Sequence, residues 1–370
     1  MIALVLALLY MCFGLFMFGS IRKIRYPLSV LPSVSVIVAC KNEAKTLQTS
    51  LNSLTKLDYP SDKLEIIMVD DGSQDNSFDI IQAFVCKNNK ISCLRLDPLE
   101  KTKSGKAGAI MKGIEKSSGE FIFITDADCS VPPTWIKGLL SAFDAQTGIA
   151  GGFTLAPPRL AVFQKMQNID LLYLLSVASS TSALDKPTSW VGNNIAVRRE
   201  AYDSIGGYAA LDDSLVEDFA LIAALDKQTR WKSCFCPSPQ TAVQSRPPQT
   251  LRDWYNQRKR WACGIPQMRP LGLMIMILSF LAHLGVLVSV FKSPFSLFLL
   301  CIFIMICIDY ALIYKTSRYL QYSFNLIHFV FFQFYYFAYS SLLPFFLFFD
   351  RTVVWKGLTY RTRNKRQVRV

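Results

Sequence analysis

Two carboxylates stand close together in Asp126-Ala127-Asp128, directly after the apolar run at 121–125. At this spacing the two negative charges repel each other unless a cation joins them. A hard divalent ion solves the problem, because carboxylate oxygens are its preferred ligands and it can bind phosphate oxygens at the same time. The pair therefore predicts a Mg²⁺ or Mn²⁺ site that holds a diphosphate.

Acidic residues also follow two apolar runs earlier in the chain. Glu43 comes shortly after the apolar run at 34–39, and Asp70 and Asp71 come directly after the run at 64–69. Structural roles are an alternative for this region, since Glu43 suits the first turn of a helix. Ser73 and Asp75 are residue types that cap the start of a helix. The residues alone leave both interpretations open.

An alternating order of strands and helices must position these acids. The apolar periodicity predicts strands at 34–39, 64–69, 91–96 and 121–125, and helices at about 44–55, 78–87, 107–116 and 135–143. Such alternation predicts parallel βαβ units, which bind ligands at the carboxyl ends of their strands. We therefore expect the acids at one edge of one sheet.

Lys106 follows a glycine and opens the helix predicted at 107–116. A helix start offers free N–H groups, which with a positive charge suit an anion. In the company of the acids, Lys106 is predicted to contact a phosphate.

The composition indicates a membrane protein. Of the 370 residues, 51% are hydrophobic and 13% aromatic, more than is usual for a soluble protein of this size. The apolar runs at 1–18, 271–291, 295–314 and 322–349 approach or exceed the ~20 residues that cross a bilayer. Between them, residues 22–269 have the composition of one α/β domain. The first run lacks a basic start and a clear cleavage site, which favours a membrane helix over a signal peptide.

Charge and cysteine patterns place the central domain in the cytosol. Arg22, Lys23 and Arg25 follow the first apolar run, and positive residues mark the cytosolic side. The ten cysteines lack the spacing of a disulfide framework. Both histidines, His283 and His328, lie in apolar runs, so we expect no zinc site.

The C-terminal tail, 351–370, contains seven basic residues and no acids, which predicts contact with anionic lipids. One membrane span before the central domain and three after it would put this tail on the opposite side of the membrane from the domain. The topology of the last segments therefore stays open.

Asp309 has two interpretations: it marks a polar path inside the membrane, or it lies at the membrane interface beside Lys315.

The segment Gln257-Arg258-Lys259-Arg260-Trp261 precedes the apolar run that begins at 271. Aromatic and cationic residues alternate here at near-helical spacing. Taken alone, this pattern indicates an amphipathic helix at the membrane surface.

The order of these segments resembles that of membrane-integrated family 2 glycosyltransferases, a group that includes cellulose, chitin and hyaluronan synthases and ceramide glucosyltransferase. The match runs from about 34 to 261. The resemblance implies an α/β GT-A domain, which is Rossmann-like, together with transmembrane helices. The expected domains are a transmembrane helix at 1–21, the GT-A domain at 30–250, an interfacial helix at 251–269, about three membrane segments at 270–350, and the basic tail at 351–370.

The resemblance also implies site roles residue by residue. The donor nucleotide is expected to contact Ala39, Glu43, Asp70, Asp71, Lys106 and Asp126. Asp128, with Asp126, is expected to hold the metal. The acceptor and the diphosphate are expected to contact Asn193, Asn194, Gln257, Arg260 and Trp261.

The catalytic base implied by the resemblance is Asp218, in the segment Ser214-Leu-Val-Glu217-Asp218. The family pattern has Thr at the position of Val216, so this chain departs from it. Glu217 also has a structural interpretation, because Ser214-x-x-Glu217 fits a capping box.

The expected activity is an inverting, metal-dependent transfer of a sugar from a nucleotide-diphosphate sugar, with a UDP-sugar as the expected donor, to a lipid or lipid-linked acceptor at the cytosolic membrane face. One alternative is a synthase that forms a polysaccharide. Another is a membrane subunit that binds a sugar nucleotide without catalysis. Membrane lipids are expected partners, nucleic acids are not, and the expected location is the cell's inner or plasma membrane.

Overall fold

The computed structural model describes residues 1–349 except 23, 24, 27, 29, 98–102, 104, 189 and 213, together with 352–355, 358–363 and 366–369. Several basic residues that entered the charge argument, Lys23, Arg351, Lys356 and Lys365, lie outside the described residues.

The first part of the chain alternates strands and helices after one apolar helix. In chain order its elements are α1 (Ile2–Ser20), β1 (Val34–Cys40), α2 (Leu47–Leu54), β2 (Leu64–Asp70), α3 (Ser77–Val85), β3 (Ile91–Arg95), α4 (Gly105–Glu115), β4 (Phe121–Asp126), α5 (Trp135–Leu140), β5 (Thr147–Gly152) and β6 (Thr154–Leu155). The four predicted strands and the four predicted helices all form, with ends within three residues of the predicted ones.

The second part begins and ends with long helices. Its elements are α6 (Val162–Ser182), β7 (Ile195–Arg198), α7 (Arg199–Ser204), α8 (Gly207–Ala210), α9 (Glu217–Gln228), β8 (Lys232–Cys236), β9 (Val243–Gln244), α10 (Leu251–Ala262), α11 (Pro270–Lys292), α12 (Phe295–Leu320) and α13 (Leu326–Phe349). In the basic tail, β10 (Thr352–Trp355), β11 (Leu358–Arg363) and β12 (Arg366–Arg369) form an antiparallel sheet.

The chain forms two compact units. The sheet unit comprises Lys23–Pro157 and Trp190–Arg246, and the helix unit comprises Met1–Arg22, Pro158–Ser189 and Pro247–Val370. The GT-A range predicted at 30–250 did not anticipate that residues 158–189, which include α6, cluster with the apolar helices.

A mixed sheet forms the centre of the sheet unit. Its seven strands, counted over the described residues, have the order β3-β2-β1-β4-β7-β5-β8. The strands β1 to β4 run parallel to one another, whereas β7 runs antiparallel to both β4 and β5. The predicted parallel βαβ arrangement is confirmed for this first half of the sheet.

The core of the sheet unit is built from β-branched and aromatic side chains. Val36 and Val38 of β1 and Phe123 of β4 are completely buried. Trp135 of α5 is also fully buried and meets the Phe123 ring edge-on at 5.2 Å between centroids. Strands covered on both faces read as continuous apolar runs, which is why these segments were recognisable in the sequence.

In the helix unit, three helices of the described residues are long and apolar enough to cross a membrane: Ile2–Ser20, Pro270–Lys292 and Phe295–Leu320. Small residues let these helices approach closely. A Cβ at Gly14 of α1 would lie 2.2 Å from Ile308 Cγ1 of α12, so only glycine fits there.

Asp309 lies completely buried among the helices. Its carboxylate accepts hydrogen bonds from Tyr10 Oη at 2.7 Å and from Gln333 Nε2 at 3.3 Å. Tyr10 Oη also lies 2.8 Å from Tyr173 Oη of α6. This polar cluster joins α1, α6, α12 and α13.

Candidate active site

The carboxyl ends of three parallel strands meet at one edge of the sheet. Cys40 at the end of β1 pairs in register with Asp70 of β2. Ala39, one residue earlier, pairs with Val69 on one side and with Asp126 of β4 on the other. The prediction that the acids share one sheet edge is confirmed.

Lys106 connects two acidic segments that lie far apart in the sequence. Its Nζ lies 2.6 Å from Asp126 Oδ1 and 3.1 Å from Glu217 Oε1. Burial disfavours the charged lysine, but the carboxylates of Asp126, Glu217 and Asp218 outweigh burial and raise the pKa of Lys106. Lys106 is therefore a permanent cation that compensates the acids around it.

Glu217 has a different role from the one that the capping-box interpretation gave it. The N-cap of α9 is Val216, and Ser214 Oγ accepts a hydrogen bond from Val216 N at 3.1 Å. Glu217 is buried, and its carboxylate is paired with Lys106. The capping box is wrong, because α9 begins two residues later than that motif requires. Glu217 is thus a site residue that was absent from the predicted set, although its place beside Asp218 was a signal for it.

Asp218 lies in the first turn of α9, half-buried against the backbone of Gly192. A Cβ built on Gly192 would lie 2.6 Å from Asp218 Cβ and 2.7 Å from Asp218 Oδ2. No side chain fits at position 192 without displacing this carboxylate. The glycine of Gly192-Asn193-Asn194 therefore fixes the place of the predicted base.

The donor atoms of Asp126, Asp128 and Cys129 lie within 4.8 Å of one another, a spacing that fits a metal ion. Two carboxylates are hard ligands of the kind that Mg²⁺ and Mn²⁺ prefer. Cys129 Sγ donates a hydrogen bond to Asp128 Oδ1 at 3.2 Å. Burial first, and then the charges of Asp128 and Asp126, raise the pKa of the Cys129 thiol. The thiol thus stays protonated and orients Asp128, and the predicted carboxylate pair fits the metal.

The two asparagines of the 192–194 segment differ in role. Asn193 is nearly buried; its Nδ2 donates to Cys129 Sγ at 3.4 Å, and its Oδ1 accepts from Thr154 Oγ1 at 2.7 Å. It thereby supports the thiol that orients Asp128.

Asn194 is completely buried, and its amide bonds to three protein groups. Its Oδ1 accepts from Trp135 Nε1 at 2.9 Å, and its Nδ2 donates to the carbonyls of Phe153 and Thr241, both at 2.8 Å. This arrangement disagrees with the predicted contact of Asn194 with the acceptor or the diphosphate, because a side chain with no solvent-exposed surface offers a ligand no contact. Asn194 instead holds β7 to its surroundings.

Asp70 and Asp71 are both buried at the end of β2. The Asp70 carboxylate accepts from Ser73 N at 3.2 Å and lies 3.6 Å from Arg95 Nε. Asp71 Oδ2 lies 3.2 Å from Lys41 Nζ. Both carboxylates thus shape the strand-end loops, and their contact with a nucleotide stays a prediction.

The loop after β1 and the loop after β2 are bonded to each other. Glu43 N donates to Ser77 Oγ at 2.8 Å, and Ala44 N donates to Asp75 Oδ2 at 3.1 Å. Asn42 N donates to Ser73 Oγ at 3.0 Å. The alternative of helix capping holds in part: the N-cap position of α3 is Asn76, but Asp75 Oδ1 accepts a hydrogen bond from Ser77 N, the first residue of α3, at 3.0 Å. Ser73 and Asp75 also join the two loops.

Gln257, Arg260 and Trp261 lie on α10 of the helix unit, where their spacing places them on one face. Thr250 begins the helix by accepting a hydrogen bond from Asp253 N at 3.1 Å. Their predicted roles toward the diphosphate and the acceptor stay predictions.

The fold and the acidic site define a glycosyltransferase of the GT-A fold. A mannosyltransferase from Pyrobaculum calidifontis, solved in complex with GDP-Man and Mn²⁺, matches this structure with a TM-score of 0.55 and 19% identity over 86% of this chain and 98% of that one. The chain belongs to glycosyl transferase family 21, which it matches over residues 1–368. The expected resemblance to membrane-integrated glycosyltransferases is confirmed.

Curated relatives are similar over about two thirds of the chain. A probable glycosyltransferase of Bacillus subtilis, YdaM, is 30% identical over 252 residues, 66% of this chain and 58% of that protein. The beta-monoglucosyldiacylglycerol synthase of Trichormus variabilis is 27% identical over 238 residues, 63% of this chain and 49% of that protein. The poly-beta-1,6-N-acetyl-D-glucosamine synthase of Staphylococcus epidermidis is 25% identical over 237 residues. The chain spans about half the length of these relatives.

Proposed function

We propose that the protein transfers a sugar, with inversion, from a nucleotide-diphosphate sugar to a hydroxyl group of a lipid or lipid-linked acceptor at the cytosolic face of a membrane. The observation that carries this proposal is the arrangement of Asp126, Glu217 and Asp218 around Lys106 at the carboxyl edge of the sheet. This edge is where α/β sheets bind nucleotides.

The nucleotide half of the donor is assigned to the bonded loops after β1 and β2. Ala39 and Glu43 border the first loop, and Asp70 and Asp71 begin the second. Because hydrogen bonds join the loops, this pocket wall is preorganised before the nucleotide arrives. The expected nucleotide is UDP, whereas the Pyrobaculum enzyme was solved with GDP-Man, and the donor screen distinguishes the two nucleotides.

Asp128 and Asp126 would hold Mg²⁺ or Mn²⁺ on the donor diphosphate. The ion, when bound, supplies positive charge that stabilises the departing diphosphate. The Pyrobaculum structure holds Mn²⁺. In this chain, Cys129 and Asn193 orient Asp128, and Lys106 adds a fixed cation beside Asp126.

Asp218 is proposed to take the proton from the acceptor hydroxyl as the oxygen attacks the anomeric carbon. The bond between that carbon and the diphosphate oxygen breaks at the same time, so one displacement inverts the configuration. One base suffices, because the cations neutralise the leaving group and no second acid is required. Lys106 pairs with Asp126 and Glu217 and thereby places a compensating positive charge among these acids and Asp218.

The acceptor is proposed to be a lipid or lipid-linked molecule. The three apolar helices of the helix unit are long enough to keep the chain in a membrane, where such an acceptor resides. The Trichormus relative is named for a glucosyl lipid and the Staphylococcus relative for a polysaccharide. The basic residues after α1 support a cytosolic catalytic site.

A donor screen tests the proposal. The protein in lipid nanodiscs receives labelled UDP-glucose, UDP-GlcNAc, UDP-galactose or GDP-mannose, each with Mn²⁺ and a total membrane-lipid extract. Label in a small organic-extractable product supports lipid glycosylation. Label in a high-mass aqueous product would instead show polysaccharide synthesis and contradict a lipid acceptor. An absence of transfer from every donor would contradict the proposed activity.

A further inference from the structure

A buried ion pair joins α10 to α6 inside the helix unit. Arg258 Nη2 donates a hydrogen bond to Asp170 Oδ2, and the two side chains are 2% and 0% exposed. Tyr335 Oη of α13 donates to the same carboxylate oxygen at 3.1 Å. Three helices therefore converge on one carboxylate.

Aromatic rings surround the guanidinium. Arg258 Cζ lies 4.4 Å from the centroid of the Trp261 ring, 5.3 Å from that of Tyr339 and 5.9 Å from that of Trp254. Trp254 Nε1 also donates to Tyr335 Oη at 2.6 Å. The planar cation is thus enclosed by π-faces from its own helix and from α13, a favourable setting for arginine.

Stability does not account for this pair. Within the described part of the chain, Asp170 Oδ1 and Arg258 Nε and Nη1 are buried and have no hydrogen-bond partner. Removing two charges from water is costly, and an apolar pair of similar volume is often as stable as an ion pair or more stable. Residues that are costly to bury and incompletely bonded require another explanation.

The pair's place on α10 provides that explanation. Gln257, Arg260 and Trp261 share one face of the helix, and Arg258 lies about 100° around the axis from Gln257. An apolar contact alone would allow α10 to rotate, whereas a directional ion pair permits one orientation. The Trp261 ring also lies against the Arg258 guanidinium. The ion pair therefore holds the indole directly, on the helix face that carries Gln257 and Arg260.

We propose that Arg258 and Asp170 are positioning residues that set the rotation of α10 and the orientation of Trp261 for sugar transfer. This inference rests on the proposed function and on the predicted contacts of Gln257, Arg260 and Trp261 with the diphosphate and the acceptor. Arg258 and Asp170 act through that face and do not themselves touch the substrates.

An apolar replacement of the whole pair tests the proposal. In the double variant Asp170→Leu/Arg258→Met, the thermal unfolding midpoint in nanodiscs is expected to stay at or above the wild-type value. The donor KM is expected to stay within about twofold, while kcat falls about tenfold or more because a small misplacement has a large effect on rate. Arg252→Met, which replaces an exposed arginine on the same helix, is the matched control and keeps wild-type kcat.

Wild-type kcat in a folded double variant would overturn the inference. If the double variant does not fold, Arg258→Lys and Asp170→Glu decide the matter, because each keeps its charge and alters only the geometry. Reduced kcat at an unchanged midpoint in both supports the inference, and full kcat in both overturns it.

Arg260→Ala and Trp261→Ala separate this inference from the proposed function. If both keep full turnover, the predicted contacts of α10 with the diphosphate and the acceptor fail. If both lose turnover while the double variant at 170 and 258 keeps it, only the positioning inference fails.

Discussion

Lys106 Nζ lies 2.6 Å from Asp126 Oδ1, so a cation on α4 meets the carboxylate at the end of β4. The same amine reaches Glu217 Oε1 of α9 at 3.1 Å. Lys106 thus assembles carboxylates from two distant segments, and the acids would repel one another without it.

Replacing this lysine tests its role. In Lys106→Met, Asp126 and Glu217 lose their common cation, and kcat is expected to fall about 100-fold or more, as for other removed electrostatic groups. Lys112→Met is the matched control, since Lys112 lies on the same helix in a surface pair with Glu115. A Lys106→Met enzyme with near wild-type kcat would show that the contacts of Lys106 with Asp126 and Glu217 are not needed for transfer.

Gly192→Ala tests how Asp218 is positioned. The added Cβ would lie 2.6 Å from Asp218 Cβ, so the carboxylate must move by a few tenths of an ångström or more. We expect kcat to fall at least about tenfold with donor affinity retained. At Gly19 an added Cβ meets nothing within 4 Å, so Gly19→Ala should be neutral. Unchanged turnover in Gly192→Ala would contradict the assigned geometry.

Glu65 stabilises the sheet unit away from the site. It lies at the amino end of β2, where its Oε1 accepts hydrogen bonds from Ser35 Oγ and Ser118 N, both at 2.6 Å. Burial raises the pKa of Glu65, but these hydrogen bonds outweigh it and the pKa is lowered overall. Its contribution is therefore present above the unfolded value of about 4.3 and disappears as pH falls through the lower folded value.

Glu65→Gln is consequently expected to reduce stability by about 1 kcal/mol at pH 7 and to leave kcat unchanged. The difference from wild type, measured by thermal unfolding against pH, should shrink as the pH falls below about 4. Glu115→Gln, at a surface pair, should have little effect at any pH. A fall in kcat in Glu65→Gln would be inconsistent with this remote structural role.

Metal removal tests the carboxylate pair. A chelator should abolish transfer, and added Mn²⁺ should restore it. Asp128→Asn should weaken Mn²⁺ binding about tenfold or more in an electron paramagnetic resonance titration, a readout that does not depend on turnover. Asp62→Asn, at an exposed position in the same unit, is the control. Full transfer in excess chelator would rule out the metal-dependent mechanism.

Local sequence patterns predicted much of the sheet and its acidic edge. Val36, Val38 and Phe123 lie in apolar runs that identify buried strands, and acids after such runs must share one edge when the strands are parallel. The spacing of Asp126 and Asp128 predicted two carboxylates that could share a metal ion, and their donor atoms lie within 4.8 Å of each other.

Contacts between distant segments were not predictable in this way. The pairing of Lys106 with Glu217 depends on where α9 begins, and a shift of two residues in its start replaced a capping motif with an ion pair. Asn194 resembled a ligand-binding residue, but Trp135 and two backbone carbonyls occupy its amide. Asp170 had no local signal at all, because its partner lies on α10.

The most direct test of the account is transfer by Asp218→Asn in nanodiscs with the best donor and Mn²⁺. We expect kcat to fall by at least about 100-fold, while donor-nucleotide binding, measured by calorimetry, stays within about twofold of wild type. The wild-type product should carry the inverted anomeric configuration by NMR. Full transfer by Asp218→Asn, or a retained configuration in the wild-type product, would contradict the central claim that Asp218 is the base of an inverting transfer.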